Sequence, residues 1–498
     1  MRASGLSATA TALALAFGLN GPAAAQASNW SASLTAATSY SDVRGRPGQV
    51  DDGQFVTDLS PGISWSSRSG RIQGSANYSL RARFHSDQSA EDSTQNSLSA
   101  AASAEVVDGW FFIDGRASIS QQSVSAFGQP VFPDGIVDNG NRTEVRTVSL
   151  SPYVRGNLGG LATYEARYSA SHTESSQTAG ADSDSQNTSL SLASPSGGAV
   201  FGWNLNLTRS QQDFSSGADS TSDRAVAGLT IRPDIELQLG LNAGRESTDV
   251  LGPERKSYSN TGWTIRWTPT PRTSVGLQGD KRYFGRSHSL NLSHRMRRST
   301  WVYTDTKGTT FGADGLSASA PVSLYALYDS IFTAQFPDPA ERDRQVRTFL
   351  LASGLDPAST VVVLFPITSI GLQRQQALAL ALQWPRSTLS LRVYRNQTRS
   401  LQDGVGSLPD AAVSQHGYSS SASYRLTPHA SLSLTGSRLM TPGNATQAGT
   451  DLKSLSLSLS NQLGRKVSSS LSLRYSVFNS PTDPYREAAV TASLSAQF

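Results

Sequence analysis

The feature that most constrains this chain is strict two-residue alternation. In Leu455-Ser456-Leu457-Ser458-Leu459-Ser460 every second residue is apolar. Leu237, Leu239 and Leu241 alternate with polar or small residues such as Gln238 and Asn242. Leu378, Leu380 and Leu382 lie between alanines, and Trp263, Ile265 and Trp267 flank Thr264 and Arg266. Successive side chains of a strand point to opposite faces, so each segment has one apolar and one polar face. An amphipathic helix would need apolar spacings of three and four, which these segments lack.

The connections alternate as well. One set is short and rich in Gly and Pro: Asn157-Leu158-Gly159-Gly160, Arg232-Pro233-Asp234, Thr268-Pro269-Thr270-Pro271, Trp384-Pro385-Arg386-Ser387 and Gly464-Arg465-Lys466. These are tight turns, because Gly supplies positive φ and Pro ends a ladder. The other set is mostly longer and polar, near 42–53, 86–93, 123–143, 174–184, 213–222, 247–257, 400–415, 441–450 and 479–486. Short, long, short, long is the connection pattern of a transmembrane antiparallel β-barrel of the outer-membrane type. A sandwich array, a propeller or a β-helix would not require it.

Composition fits a wall with two faces. The chain is 37% hydrophobic and 16% charged, with 42 Gly, 3 Met and no Cys. Ser makes up about one residue in six, well above ordinary usage. Only the lipid face of such a strand must be apolar, so hydrophobicity stays moderate while Ser, Gly, Thr and Gln line the lumen. Zero Cys excludes disulfide frameworks, thiolate metal sites and Cys nucleophiles. Residues 1–27 read as a secretory signal peptide: Arg2 supplies charge, Leu6–Leu19 is apolar but too short to span, and Ala25-Gln26-Ala27 is a small-x-small cleavage site. Residues 28–498 are then an all-β barrel of about 22 strands, within a range of roughly 16–24. The expected location is the outer membrane of a Gram-negative cell. The last segment alternates to a terminal Phe498, which resembles the barrel-assembly signal of outer-membrane proteins. Trp30 opens a strand almost directly after the leader, which leaves no room for a separate N-terminal plug and argues against a TonB-type transporter.

Residues 309–372 break the alternation. Pro321–Phe336 predicts one helix, with Leu324, Leu327, Tyr328, Ile331 and Phe332 on one side. Asp338 as N-cap, Pro339 in the first turn, Glu341 in a capping-box-like position and Gly354 as a stop predict a second, with Val346, Phe349 and Leu350 apolar. Phe336, Asp338, Glu341 and Phe349 are the gate candidates. Two readings stand: a constriction folded into the pore, or a cap over its mouth.

The insertion motif Phe336-Pro337-Asp338-Pro339-Ala340-Glu341-Arg342, followed by Leu350-Leu351-Ala352-Ser353-Gly354-Leu355, resembles the outer-membrane proteins associated with PEP-CTERM/exopolysaccharide loci. The resemblance covers the architecture of the whole mature chain. It implies a role in exopolysaccharide export or envelope assembly, with outer-membrane lipid and lipopolysaccharide, the barrel-assembly machinery and polysaccharide-export proteins as partners. It supplies no catalytic residues and no cofactor.

Alternation assigns charges to the lumen. Tyr78, Leu80, Ala82 and Phe84 face lipid, so Arg81 and Arg83 point inward. The same rule turns Arg167, Arg266, Arg295, Arg297, Arg392 and Arg474 inward, against the acids Glu165, Glu236 and Asp280. A basic lumen suits anionic solutes or an anionic polysaccharide, although porin walls in general also carry arginine ladders. The six histidines, His85, His172, His288, His294, His416 and His429, form no metal motif, and no nucleophile elbow is present. The expectation is a non-enzyme without metal, cofactor or nucleic-acid partner. It is an export channel in the first reading, and a general or anion-selective porin or a non-transporting scaffold in the alternatives.

Overall fold

The computed structural model describes residues 28–45, 52–67, 70–86, 92–130, 140–176, 182–195, 200–215, 218–310, 369–401 and 412–498, together with Tyr325, Tyr328, Asp329, Phe332, Arg342 and Val346. The leader 1–27 lies outside them.

Twenty-two strands follow in order: β1 Ser28–Arg44, β2 Asp52–Ser67, β3 Ile72–His85, β4 Ser93–Val107, β5 Phe111–Ser123, β6 Arg142–Leu158, β7 Ala162–Ser175 and β8 Ser183–Ala193. β9 Phe201–Phe214, β10 Ser220–Asp234, β11 Leu237–Thr248, β12 Lys256–Thr270, β13 Thr273–Arg282, β14 Gly285–Arg295 and β15 Ser299–Thr310 complete the wall up to the insertion. After it come β16 Gly371–Gln383, β17 Ser387–Ser400, β18 Ala412–Arg425, β19 Ala430–Thr441, β20 Thr450–Gln462, β21 Val467–Asn479 and β22 Tyr485–Gln497. Each strand pairs antiparallel with its sequence neighbours. β1 pairs with β22 from Ser33↔Gln497 to Arg44↔Arg486, so the sheet closes and has no edge. Closure satisfies the backbone of a membrane-spanning wall internally. The barrel expected from alternation is therefore the observed one, and its architecture is that of Gram-negative outer-membrane proteins.

Register fixes the faces. Trp30, Leu34 and Tyr40 of β1 stand opposite Trp65, Pro61 and Phe55 of β2, all on the outward side. Leu229 and Leu241, paired across β10 and β11, are each 71% exposed, as side chains in contact with lipid must be. Seven of the eight Trp ring the short-turn end: Trp30, Trp65, Trp203, Trp267 and Trp301 near the strand ends, and Trp110 and Trp384 in the turns. Trp263 sits higher. Such a girdle marks a membrane interface, and the short turns mark the periplasmic end.

The inward face is a ladder of hydroxyls. Ser470 bonds Ser493 at 2.7 Å, Ser431 bonds Ser460 at 2.8 Å, Thr388 bonds Ser423 at 2.7 Å and Ser39 bonds Thr491 at 2.9 Å. Each bond joins residues that face one another across neighbouring strands, which is where the Ser excess goes. The two faces of one strand make a direct test. Leu457→Arg, outward at mid-strand, is expected to cost about 2–4 kcal/mol of unfolding free energy in lipid, whereas Ser456→Arg costs little. Equal losses in urea titrations would show the register to be wrong.

One connection departs from the long–short rule. β13 and β14 are joined at the long-connection end by Tyr283 and Phe284 alone. Gly285 follows with φ +110, a conformation only glycine adopts without strain. The two rings meet edge to face at 5.0 Å. Tyr283 packs with Phe214, Val250 and Ile370, and burial pushes its phenol up to about 12. This connection is not among the long polar ones read from the sequence. This hairpin instead forms an apolar roof.

Candidate functional site: the lumen

The inner wall has three tiers. At the extracellular end, apolar inward side chains pack in clusters among buried polar ones such as Gln212, Gln373 and Gln415. Besides the roof around Tyr283, a cluster of Tyr394, Leu439, Leu452, Phe478 and Tyr485 lies on β17 to β22. Burying these rings removes from water the apolar area that a polar pore could not hold exposed.

Beneath and among them, charges are buried and paired. Arg83 of β3 donates to Asp58 of β2 at 3.0 Å. Glu246 of β11 is fully buried and accepts from Asn260 Nδ2 at 3.1 Å, Ser222 Oγ at 3.3 Å and Arg282 Nε at 3.2 Å. Glu487 of β22 is 2% exposed and accepts from Arg474 at 2.9 Å, Ser476 at 3.1 Å and Ser41 at 3.2 Å. A buried carboxylate survives only with this many donors.

Toward the periplasm the wall is more open and more basic. Arg155 lies 4.3 Å over the ring of Phe112, which stacks on Tyr153 at 5.1 Å, and Arg167 covers the other ring at 3.8 Å. Arg167 also pairs with Asp114 at 2.7 Å and Glu165 at 3.0 Å. Arg116 and Arg266 are exposed on the inward face, and neither has a carboxylate partner among the described residues.

The sequence-predicted positions divide as follows. Arg81, Arg83, Arg167, Arg266, Arg295, Arg392 and Arg474 all take the inward side of the register. Arg392 is buried 5.8 Å from the Tyr394 ring. Arg297 does not join them. β14 ends at Arg295, so Arg297 lies in the exposed turn at the periplasmic mouth, where parity no longer holds. Glu236 falls in the turn between β10 and β11 for the same reason. Arg116, Arg155, Arg224 and Arg282 belong to the inner wall and were missed. Around Arg155 and Arg116 both faces of the strand carry apolar residues, as in Phe111-Phe112-Ile113, and the alternation that would assign them is blurred.

The insertion bears on the lumen directly. Its six described residues all have helical backbone, but the continuous helices expected from the sequence are not seen among the described residues. Phe336, Asp338, Glu341 and Phe349 lie outside those residues. Tyr328 and Val346 are 1% and 0% exposed and pack on Ala379 and Ala381 of β16, with Val302 of β15, Tyr325 and Phe332 around them. Ala379, Ala381 and Val302 face inward by register. Ala381 is two residues from the periplasmic end of β16. The Tyr328 hydroxyl bonds Ser390 and Thr388 near the start of β17. The segment roots at Thr310 and Gly371, which are register partners at the opposite end. Its described side chains therefore reach through the lumen to a point about ten residues, or roughly 33 Å along the tilted β16 strand, from its roots.

Among the described residues no three His, Asp or Glu side chains converge as metal ligands would. His288 and His294 point outward, bonded to Asp305 at 3.0 Å and Thr273 at 2.8 Å.

No protein-family model and no curated relative matches the sequence. Solved structures do match in fold. The apoprotein of the FrpB iron transporter from Neisseria meningitidis (F5-1 variant) is similar at TM-score 0.50 and 10% identity, over 94% of this chain and 81% of that one. The siderophore receptor PirA from Acinetobacter baumannii is similar at TM-score 0.45 and 10% identity, over 94% and 80%. OccK8 (OprE) from Pseudomonas aeruginosa follows at TM-score 0.30 and 11% identity, over 94% and 98%.

Proposed function

We propose that the barrel is a gated conduit across the outer membrane that serves exopolysaccharide export or envelope assembly and favours anionic cargo. One observation carries the gating: Tyr328 and Val346 of the insertion are buried against the inward face of β16. A 22-stranded wall encloses a space that must be filled or left as a channel, and a segment seated inside the wall is the filler at hand. The basic periplasmic half supports the cargo class. Arg116, Arg266 and Arg295 meet the lumen without a carboxylate among the described residues, and guanidinium groups suit carboxylate and phosphate. The exopolysaccharide setting rests on the insertion motif and its resemblance to PEP-CTERM-locus barrels. The fold's likeness to an iron transporter favours a conduit over an enzyme.

Reversal potentials in planar bilayers under a salt gradient test the cargo class. Anion preference is expected, and Arg116→Glu together with Arg266→Glu should move the reversal potential toward the cation limit. Cation preference in the unaltered protein would sink the proposal. Phe498 is proposed as the assembly signal. It extends the outward row of β22, and its backbone amide bonds the Ala32 carbonyl at 2.8 Å. Phe498→Ser is expected to lower the folded fraction in cells severalfold while the barrel, once folded, keeps its stability. An unchanged folded yield would remove that assignment.

A further inference from the structure

The outer wall carries a feature that conduction does not use. Side chains facing lipid near the extracellular ends of β15 to β20 are basic: Lys307, Arg374, Arg395, Arg438 and Lys453, with His416 among them. Register sets several of these groups against one another. Lys307 stands directly opposite Arg374, Arg438 opposite Lys453, and Arg395 opposite His416. Like charges directly opposed across a ladder destabilise it. Two outward carboxylates answer them among the described residues of these strands. Asp305 is already taken by Arg374 at 2.7 Å, His288 at 3.0 Å and Gln376 at 3.0 Å. Asp451 serves Arg438 at 2.9 Å and Lys453 at 3.7 Å. Lys307 and Arg395 have no ion pair among the described residues.

Shape and position agree with the charge. A groove of about 670 Å³ opens on this outer face, lined by Tyr303, Gln376, Leu378, Val393, Arg395 and His416. Arg395 sits on its extracellular side, with Arg374 and Lys307 just beyond the lining on β16 and β15, and its apolar side chains lie on the membrane side. Arg395 lies five residues below the end of β17, with Val393 and Leu391 continuing the outward row beneath it. That is headgroup height above acyl-chain height. The opposite arc has the reverse sign at the same level. Glu144, Glu174, Asp184, Asp213 and Asp223 face outward there on β6 to β10. Outward cations recur at this level in Lys281 opposite Arg286 on β13 and β14 and in Arg44 opposite Arg486 at the β1–β22 seam, and the acidic arc of β6 to β10 interrupts them; the groove sets the β15 to β18 stretch apart.

We infer that this groove is a binding site for a phosphorylated, multiply acylated glycolipid of the outer leaflet, the lipid A part of lipopolysaccharide. Arginine meets phosphate bidentately, and the phosphates supply the anions that the opposed cations lack. Acyl chains lie along Leu378, Val393 and the rows below. The inference stands apart from the conduit reading, since the groove is outside the wall.

The test uses the full chain, purified and delipidated. It is reconstituted with hexa-acylated bisphosphorylated lipid A or with the same lipid stripped of phosphate, and retained lipid is counted by native mass spectrometry. The bisphosphorylated form should be retained about tenfold more strongly than the stripped form, as a few interfacial charge contacts would give. Lys307→Gln with Arg395→Gln should abolish that difference, and neutralising Arg146 and Arg209 on the other arc should leave it unchanged. Folding is scored by heat-modifiable migration. If the double variant does not fold, Arg395→Gln alone must weaken retention severalfold. Equal retention of the two lipids, or no loss in the folded variants, overturns the inference. So does displacement of the lipid by inorganic phosphate, which would mark a simple anion site. A lipid-free dimer lost in the same variants would assign the patch to a second copy of the chain and would equally overturn it.

Discussion

Replacing residues 311–370 with Asn-Gly should raise single-channel conductance by about fivefold or more, as expected when a barrel of this width loses its filler. Thr310 and Gly371 are register partners, so a two-residue hairpin can join them without moving β15 or β16. The variant thus keeps the wall and loses the segment that carries Tyr328 and Val346. Fewer changes should give a graded version. Tyr328→Ala with Val346→Ala removes the side chains seated on Ala379 and Ala381 and should raise the frequency of open events rather than their size. Conductance unchanged by the deletion would show that the segment does not limit passage. No conductance in either form would make the barrel a scaffold.

The second large effect concerns the buried charges. Arg474→Ala leaves Glu487 at 2% exposure without its guanidinium. Stripping one partner from a buried pair costs about 3–5 kcal/mol, because the remaining charge stays desolvated. Glu487→Gln should cost less, since the amide oxygen in the Oε1 position still accepts from Ser41 and Arg474, while the amide nitrogen in the Oε2 position can donate to the Ser476 hydroxyl. The ordering is checked by urea unfolding in lipid vesicles. A loss below about 1 kcal/mol for Arg474→Ala would mean that water reaches this part of the lumen and screens the pair.

The wall was legible because lipid enforces alternation over every strand that it touches. The Leu455–Ser460 run and the Trp263–Trp267 run each place one strand and both of its faces. The rule fails where lipid stops. Past the end of β14 parity carries Arg297 inward on paper, while the chain has already turned. Near the headgroups the outward face turns polar, so Asp305 and Arg374, both outward, carry no signal that separates them from lumen residues. The roof at Tyr283 and Phe284 was invisible for a related reason: an aromatic pair beside Gly285 reads as a strand continuing, not as a two-residue turn. The insertion could be seen to need an apolar partner surface. Which surface it uses depends on Ala379 and Ala381, small residues that leave room for Tyr328 and look unremarkable in a Leu–Ala strand.

As the proposed filler, the segment rooted at Thr310 and Gly371 has no loose end. Its two attachment points are neighbours in the ladder, so any machine pulling on it would be pulling a closed loop, with the tension shared by two strands already bonded to one another. A terminal plug can be drawn out like a cork on a string. This one can only be pushed aside, tilted or compacted within the space it occupies. Under the proposed gating, whatever opens the passage must act from inside the lumen. Cargo arriving there, or a partner reaching in through the periplasmic mouth, meets that requirement, whereas traction from the cell interior does not.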